Sequence, residues 1–239
     1  MTSSATPRLA DRLALITGAS RGIGRAVARR FAAEGAHVIL LARTKGALEE
    51  VDDEIRATGG QATLVPADLN DHAAIDAIGG AIFQRFGKLD ILVANAALLG
   101  VLSPLHHIDP KVWNQVMNVN VTANWRLIRA FDPLLRQSES GRAIFVTSGA
   151  SQQATAYWGP YAVSKAALDM LAMTYAAEVA KTAIRVNLIN PGRTRTGMRA
   201  EAFPGEDPLS LKTPESVTDT FVDLACAECQ AHGEWIEVR

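Results

Sequence analysis

Leu13-Ala14-Leu15-Ile16-Thr17-Gly18-Ala19-Ser20-Arg21-Gly22-Ile23-Gly24 decides how the rest of the chain is read. The apolar run Leu13–Thr17 is short and ends at a glycine, the pattern of a buried strand. A helix is expected from about Ile23 to Glu34, stopped by Gly35, and His37–Leu41 reads as a second strand. Strand, glycine turn, helix and strand in that order make a βαβ unit, which belongs to a parallel sheet. The turn Thr17-Gly18-x-x-x-Gly22-x-Gly24 lies where phosphate binding needs it. Its glycines let the backbone turn tightly and approach a pyrophosphate, and the helix N-terminus adds unpaired N–H groups and positive potential. The spacing is G-x-x-x-G-x-G and not G-x-G-x-x-G, so placement after the first strand carries the reading. Thr17, Gly18, Ser20, Arg21, Gly22, Ile23 and Gly24 are its candidate cofactor contacts.

The alternation continues outward. A helix over Thr44–Ala57 ends at Gly59-Gly60, and Ala62–Val65 is a third strand. Asp71–Phe86 is helical and Leu89–Ala94 a fourth strand. Asp109-Pro110 opens a long helix to about Arg136, with Pro133 a possible disturbance. Arg142–Thr147 is strand five, Gly159-Pro160 opens another helix, and Ala183–Leu188 is strand six. Thr213-Pro214-Glu215 begins a last helix, and Glu234–Val238 would be a final short strand. The expected fold is α/β, a Rossmann-type doubly wound parallel sheet of about seven strands with helices on both faces. No repeat or linker divides the chain, so one domain is expected over 1–239, with residues 1–9 a polar, frayed tail.

An acidic side chain after strand two would favour a free ribose 2′-hydroxyl. The run Leu40-Leu41-Ala42-Arg43 has none. Arg43 and Arg21 could clamp a 2′-phosphate through charge-assisted hydrogen bonds, or be two solvated arginines. This favours NADP(H) over NAD(H). After strand three, Asp68 beside Leu69 could accept from the adenine amino group or serve as a helix cap. After strand four, Asn95-Ala96-Ala97 is small enough for a cofactor to lie against the backbone, and Asn95 is a polar tie between strands or a turn residue. Asn120 could hold a local helical distortion that frees a carbonyl, or simply satisfy polar groups in the core.

The chemistry points to Ser148 through Lys165. Tyr161 and Lys165 stand four apart, on one face of the helix that Pro160 would open. A phenol titrates at roughly 10, and an ammonium beside it lowers that value. Ser148 ends strand five and can meet Tyr161 at the carboxyl edge of the sheet. Alone, Tyr-x-x-x-Lys on a helix carries little meaning; joined to a dinucleotide site it becomes a proton-transfer group.

The chain is 48% hydrophobic and 21% charged, the balance of a soluble globular protein. A net charge of −1 leaves no basic footprint for nucleic acid. The first residues lack the apolar core of a signal peptide, and no apolar run is long enough to span a bilayer. A cytoplasmic location is expected. Cys226-x-x-Cys229 without a second pair does not make a zinc site, so no metal is expected, and His106-His107 reads as a solvated loop pair.

Taken together, these residues resemble the short-chain dehydrogenase/reductases from about Leu13 to Leu224. Thr17-Gly18-x-x-x-Gly22-x-Gly24 is similar to the family's cofactor turn, and Asn95-Ala96-Ala97 to its N-A-G, with alanine for glycine. Asn120 stands at the family's catalytic asparagine, Ser148 with Tyr161-x-x-x-Lys165 at its catalytic set, and Pro191-Gly192-x-Thr194-x-Thr196 resembles its nicotinamide-carboxamide segment. The resemblance implies that Tyr161 passes a proton to or from the substrate oxygen. Lys165 would lower the tyrosine pKa and hold the ribose, Ser148 would polarise the carbonyl, and Asn120 would anchor a water. Tyr161 and Lys165 thus count as catalytic and cofactor-binding, alongside Pro191, Gly192, Thr194 and Thr196. Substrate contacts are expected from Ser148, Tyr157, Tyr161 and Met198, with Trp158 beside Tyr157, and Leu98 and Leu99 making the pocket apolar.

The implied activity is that of an NADP(H)-dependent ketone or aldehyde reductase, or secondary-alcohol dehydrogenase. A 3-oxoacyl-carrier-protein reductase is the alternative, with Arg126, Arg129 and Arg136 receiving the carrier. A non-catalytic cofactor-binding sensor is a third reading, disfavoured by the intact Ser148, Tyr161 and Lys165. The segment Gly197–Lys212 is short for a substrate lid, and the carboxyl end is reduced to Gly233–Arg239. A homodimer is therefore expected ahead of a homotetramer.

Overall fold

The computed structural model describes residues 7–238, and within them seven strands form one sheet in the order β3-β2-β1-β4-β5-β6-β7, all parallel. Central β1 (Leu13–Thr17) lies between β2 (His37–Ala42) and β4 (Ile91–Ala94). β3 (Gln61–Pro66) ends one side, and β5 (Arg142–Val146), β6 (Arg185–Asn190) and β7 (Glu234–Glu237) extend the other. Successive strand residues face opposite ways. Ala14 and Ile16 join the core under α1 (Gly22–Ala33), α2 (Lys45–Ala57) and α8 (Thr218–Ala225). Leu13 and Leu15 join the core under α3 (His72–Phe86), α5 (Ala123–Leu135) and α6 (Gly159–Val179). Because helices cover both faces, the strands read as unbroken apolar runs. This is the expected doubly wound sheet.

Local chemistry sets the ends of the elements. Asp71 caps α3 by accepting from the Ala74 N–H, and Gly87, at φ 73°, ends it in the left-handed region. Asp109 caps α4 (Pro110–Met117), whose first residue is a proline.

Four expectations change. The long helix to Arg136 is interrupted at a π turn, Asn118–Thr122, while Pro133 sits near the end of α5 without breaking it. Strand six begins two residues later and runs through Asn190, because Asn187 and Asn190 hydrogen-bond the returning carboxyl-terminal chain. Strand four begins at Ile91, not Leu89, because the Asp90 carboxylate takes the Leu13 N–H. Of the tail expected over residues 1–9, residues 1–6 lie outside the described residues, but Arg8 and Leu9 are held. Leu9 is fully buried, its N–H donates to Glu34 O at 2.9 Å, and Arg8 pairs with Asp223 at 2.8 Å.

After β3 the chain crosses to the other side of β1. The carboxyl ends of β1 and β4 diverge there, and a crevice opens at that switch point.

Candidate active site

The glycine turn forms one wall. Gly18 and Gly22 have φ of 67° and 56°, where a side chain would be strained. A Cβ on Gly18 would lie 2.9 Å from Asn95 Nδ2, and one on Gly24 would lie 2.2 Å from Gly18 O. Gly24 therefore lets α1 pack against the turn and does not face the crevice. Thr17 is also beneath the wall. Its Oγ1 accepts from the Asn95 and Ala96 N–H groups at 3.0 Å each, and Asn95 Nδ2 donates to Thr17 O at 2.9 Å. Thr17 and Gly24 thus depart from the expectation of direct cofactor contact, while Asn95 is the polar tie between strands.

The crevice holds about 540 Å³. Gly18, Ser20, Arg21, Gly22, Ile23, Arg43, Asp68, Leu69, Asn95 and Ala96 line one part, and Ser148, Tyr161, Lys165, Pro191, Gly192, Thr194, Thr196 and Met198 another. Arg21 and Arg43 are exposed, and the α2 carboxylates Glu49 and Glu54 pair with Lys45, Arg25 and Arg29 instead of with them. Asp68 accepts from the Asn70 backbone and side-chain amides, so it shapes a turn, and the helix cap is Asp71. A glycine-rich turn at a helix N-terminus, two guanidinium groups with no ion-pair partner among the described residues and a long cleft suit a phosphorylated dinucleotide.

Ser148 follows β5, and its Oγ accepts from the Ala150 N–H at 3.2 Å. Tyr161 and Lys165 lie one turn apart in α6 and are 7% and 2% exposed. Lys165 Nζ donates to Val146 O at 2.7 Å and stands 5.7 Å from the centre of the Tyr161 ring. Burial pushes the Tyr161 phenol above its ordinary value, and a hydrogen bond with Ser148 pulls the other way. Burial also lowers the Lys165 ammonium to about 8, with Asp169 opposing. The expectation that Lys165 makes the phenol acidic is thus corrected. Burial outweighs the Ser148 hydrogen bond and holds the phenol above its ordinary value. One of the three Lys165 donors is occupied by Val146, which leaves two for the crevice.

Asn120 is wholly buried in the π turn and does not line the crevice. Its Oδ1 accepts from Leu98 N at 2.8 Å, and its Nδ2 donates to Leu98 O and Ser164 Oγ, each at 2.9 Å. These bonds fasten the helix break to the chain after β4 and to α6. Its own carbonyl, which the sequence suggested as a freed one, accepts from Asn124 Nδ2 at 2.8 Å.

Tyr157 turns away from the pocket expected for it. It is 60% exposed at φ 74°, and its carbonyl accepts from Ser103 N at 3.0 Å. Trp158 takes the place, lining the crevice with its ring centre 5.9 Å from that of Tyr161. Behind it lies Phe203 at 5.6 Å, just past α7 (Gly197–Ala202). The Arg199 guanidinium stacks 3.7 Å from the Phe203 centre and pairs with Glu206 at 2.5 Å. Leu98, Leu99 and Met198 add apolar lining.

Sequence reasoning missed Arg199 and Asp169, although Asp169 continues the Tyr161–Lys165 row at the next helical turn. His106 and His107 are exposed in a short turn. Cys226 and Cys229 lie just past α8, not within a helix. Among the described residues no three His, Cys, Asp or Glu side chains are grouped to hold a metal. No described helix is long and apolar enough to cross a membrane.

A serine at a strand end, a buried tyrosine and a lysine one turn on line the same switch-point cleft as the glycine turn, an arrangement suited to nucleotide-dependent oxidoreduction. The sequence profile of the short chain dehydrogenases matches residues 12–207, and the chain belongs to that family of NAD(P)-dependent oxidoreductases. It is 42% identical over 219 residues to YciK, an uncharacterized oxidoreductase of Escherichia coli, which covers 90% of this chain and 86% of that one. A short chain dehydrogenase of Shigella flexneri solved with NADP has a TM-score of 0.94 at 38% identity, covering 98% of this chain and 99% of that one. A second, from Escherichia coli CFT073 and solved with NADPH, has a TM-score of 0.92 at 39% identity, covering 98% of both chains.

Proposed function

We propose that this protein is an NADP(H)-dependent carbonyl reductase, or the matching secondary-alcohol dehydrogenase, working through Ser148, Tyr161 and Lys165. The observation that carries the reading is the buried phenol of Tyr161, which lines the crevice together with Ser148 and lies one helical turn from Lys165. A bound nicotinamide supplies the hydride in reduction and takes it in oxidation. The chain supplies position and the proton. Ser148 donates to the carbonyl oxygen and polarises it, and Tyr161 gives that oxygen its proton as charge develops there. Lys165 holds the ribose hydroxyls with its two remaining donors and offsets the negative charge of the phenolate left behind. Asn120 keeps the chain around Leu98 and α6 in register and acts through them.

Arg21 and Arg43 favour NADP(H), because each can meet a 2′-phosphate and no carboxylate follows β2. The neighbours solved with NADP and NADPH support the same choice. Trp158, Leu98, Leu99 and Met198 favour a ketone or aldehyde on an apolar skeleton. Exposed Trp125, Val163, Met170 and Met173 on α5 and α6 support a homodimer through those helices, in a cytoplasmic setting. Light scattering that gave a monomer at micromolar concentration would remove the dimer. The test of function is a carbonyl panel with NADPH and with NADH. Oxidation of NADPH is expected for apolar ketones, and cofactor binding with no oxidation of it by any compound would overturn the reading.

A further inference from the structure

Tyr161, Lys165 and Asp169 form one row along α6, each a turn after the last. Asp169 is 8% exposed, and three side chains from two other segments donate to it. Thr147 Oγ1 donates to its Oδ1. Gln152 Nε2 and Trp235 Nε1 donate to its Oδ2, each at 3.1 Å. Donors without an acceptor are the surroundings that an ionised carboxylate needs. Thr147 and Gln152 lie on either side of Ser148, and Thr147 follows Val146, whose carbonyl receives Lys165. Trp235 belongs to β7, so the last strand reaches the site through this acid.

We infer that Asp169 is a positioning residue for the proposed reaction, holding the Ser148 turn from both sides and supplying the counter-charge for Lys165. The inference rests on the Ser148–Tyr161–Lys165 reading. A neutral amide in its place would still fill the space and could still accept on one atom, so packing alone does not need the charge. The groups on the elements packed against α6 leave that task to Asp169. Tyr161 shares its helix, and the turn after β5 brings Ser148. The π turn brings neutral Asn120, and β6 brings neutral Asn190, which reaches Glu237 of β7 at 3.3 Å. On α4 the cation Lys111 is exposed at the start of the helix, and on α5 Arg126 pairs with Asp76 and Asp132 with Arg136. Asp169 is the carboxylate that raises Lys165 against the effect of burial.

Asp169→Asn is the test, with Trp235→Phe beside it. Competitive acetylation of Lys165 across pH, read by peptide mass spectrometry, gives the midpoint of the ammonium without any turnover. The kcat–pH profile with NADPH and an apolar ketone gives the same limb in action. Asp169→Asn is expected to move both downward by about 1 pH unit, the lower end for loss of a close opposite charge. Trp235→Phe should move them less and in the same direction, because it loosens the carboxylate without removing it. An unchanged acetylation midpoint in Asp169→Asn overturns the inference, even if melting temperature or kcat falls, since a purely structural acid would do only that. Should Asp169→Asn not fold, Trp235→Phe and Gln152→Ala carry the test, and an unmoved midpoint in both overturns it. A wild-type enzyme that reduces no carbonyl would sink the proposed function, while the acetylation midpoint would still decide the role of Asp169.

Discussion

Arg142 and Lys165 are cations buried at opposite ends of the same strand, and they are used in opposite ways. Arg142 begins β5 at the amino edge of the sheet. Its guanidinium donates to the carbonyls of Gly141, Ala183, Cys226, Ala227 and Cys229, at 2.6 to 3.4 Å. Every nitrogen is engaged, so this cation ties β5 to the chain before β6 and to the turn after α8. Lys165 meets the other end of β5 with a single bond, to Val146 O. A planar fork with five donors suits many carbonyls at once, whereas a compact ammonium with spare donors suits a site that must accept a visitor. Burial lowers both, but only Lys165, at about 8, can change charge within the working range.

The contrast breaks if removing the Lys165 end costs stability and not turnover. Tyr161→Phe and Lys165→Met should each keep the fold and reduce kcat by about 10²–10⁴-fold, the range for loss of a positioned proton donor and its partner. Arg142→Met should do the reverse. It strands buried carbonyls and should destabilise by about 3–5 kcal/mol in denaturant titration, while the fraction that stays folded keeps its kcat/KM. A pH profile sharpens the comparison. The Lys165 ammonium is lowered to about 8, so carbonyl reduction should fall as pH rises through that value, and steady reduction up to pH 10 would remove its charge from the mechanism. Arg43→Ala should raise the KM for NADPH by about 10-fold, the value of one charged hydrogen bond, and leave that for NADH nearly unchanged. The smallest effect belongs to Tyr157→Gly. Relief of the positive φ should raise stability by up to about 1 kcal/mol, with kcat/KM unaltered, as fits a residue outside the crevice.

The architecture was legible because apolar runs, glycines and proline caps act over a few residues. β1, the glycine turn and the Pro160 start of α6 follow from local chemistry alone, as does the shared face of Tyr161 and Lys165. What could not be read depends on distant partners or on backbone angle. Thr17 and Gly24 have the right identities for cofactor contact, yet their neighbours Asn95 and Gly18 place them beneath the wall. Tyr157 and Trp158 are adjacent, and the chain turns Tyr157 outward at positive φ while Trp158 lines the crevice. The helical distortion offered at Asn120 is there and Pro133 leaves α5 unbroken, but the partner that takes the asparagine side chain, Leu98, lies on another segment. Asp169 gathers donors from 17, 22 and 66 residues away, a convergence that no local pattern announces.

The stack running from Trp158 through Phe203 to Arg199 and Glu206 has a consequence for traffic. α7 buries none of its own residues, so ring contacts and one partly exposed ion pair are what moor it above the cleft. Fastenings of that kind open and reseal at little cost beside the sheet below. Rearranging these contacts would be the least costly way to widen the cleft beside the Trp158 indole for a bulkier guest.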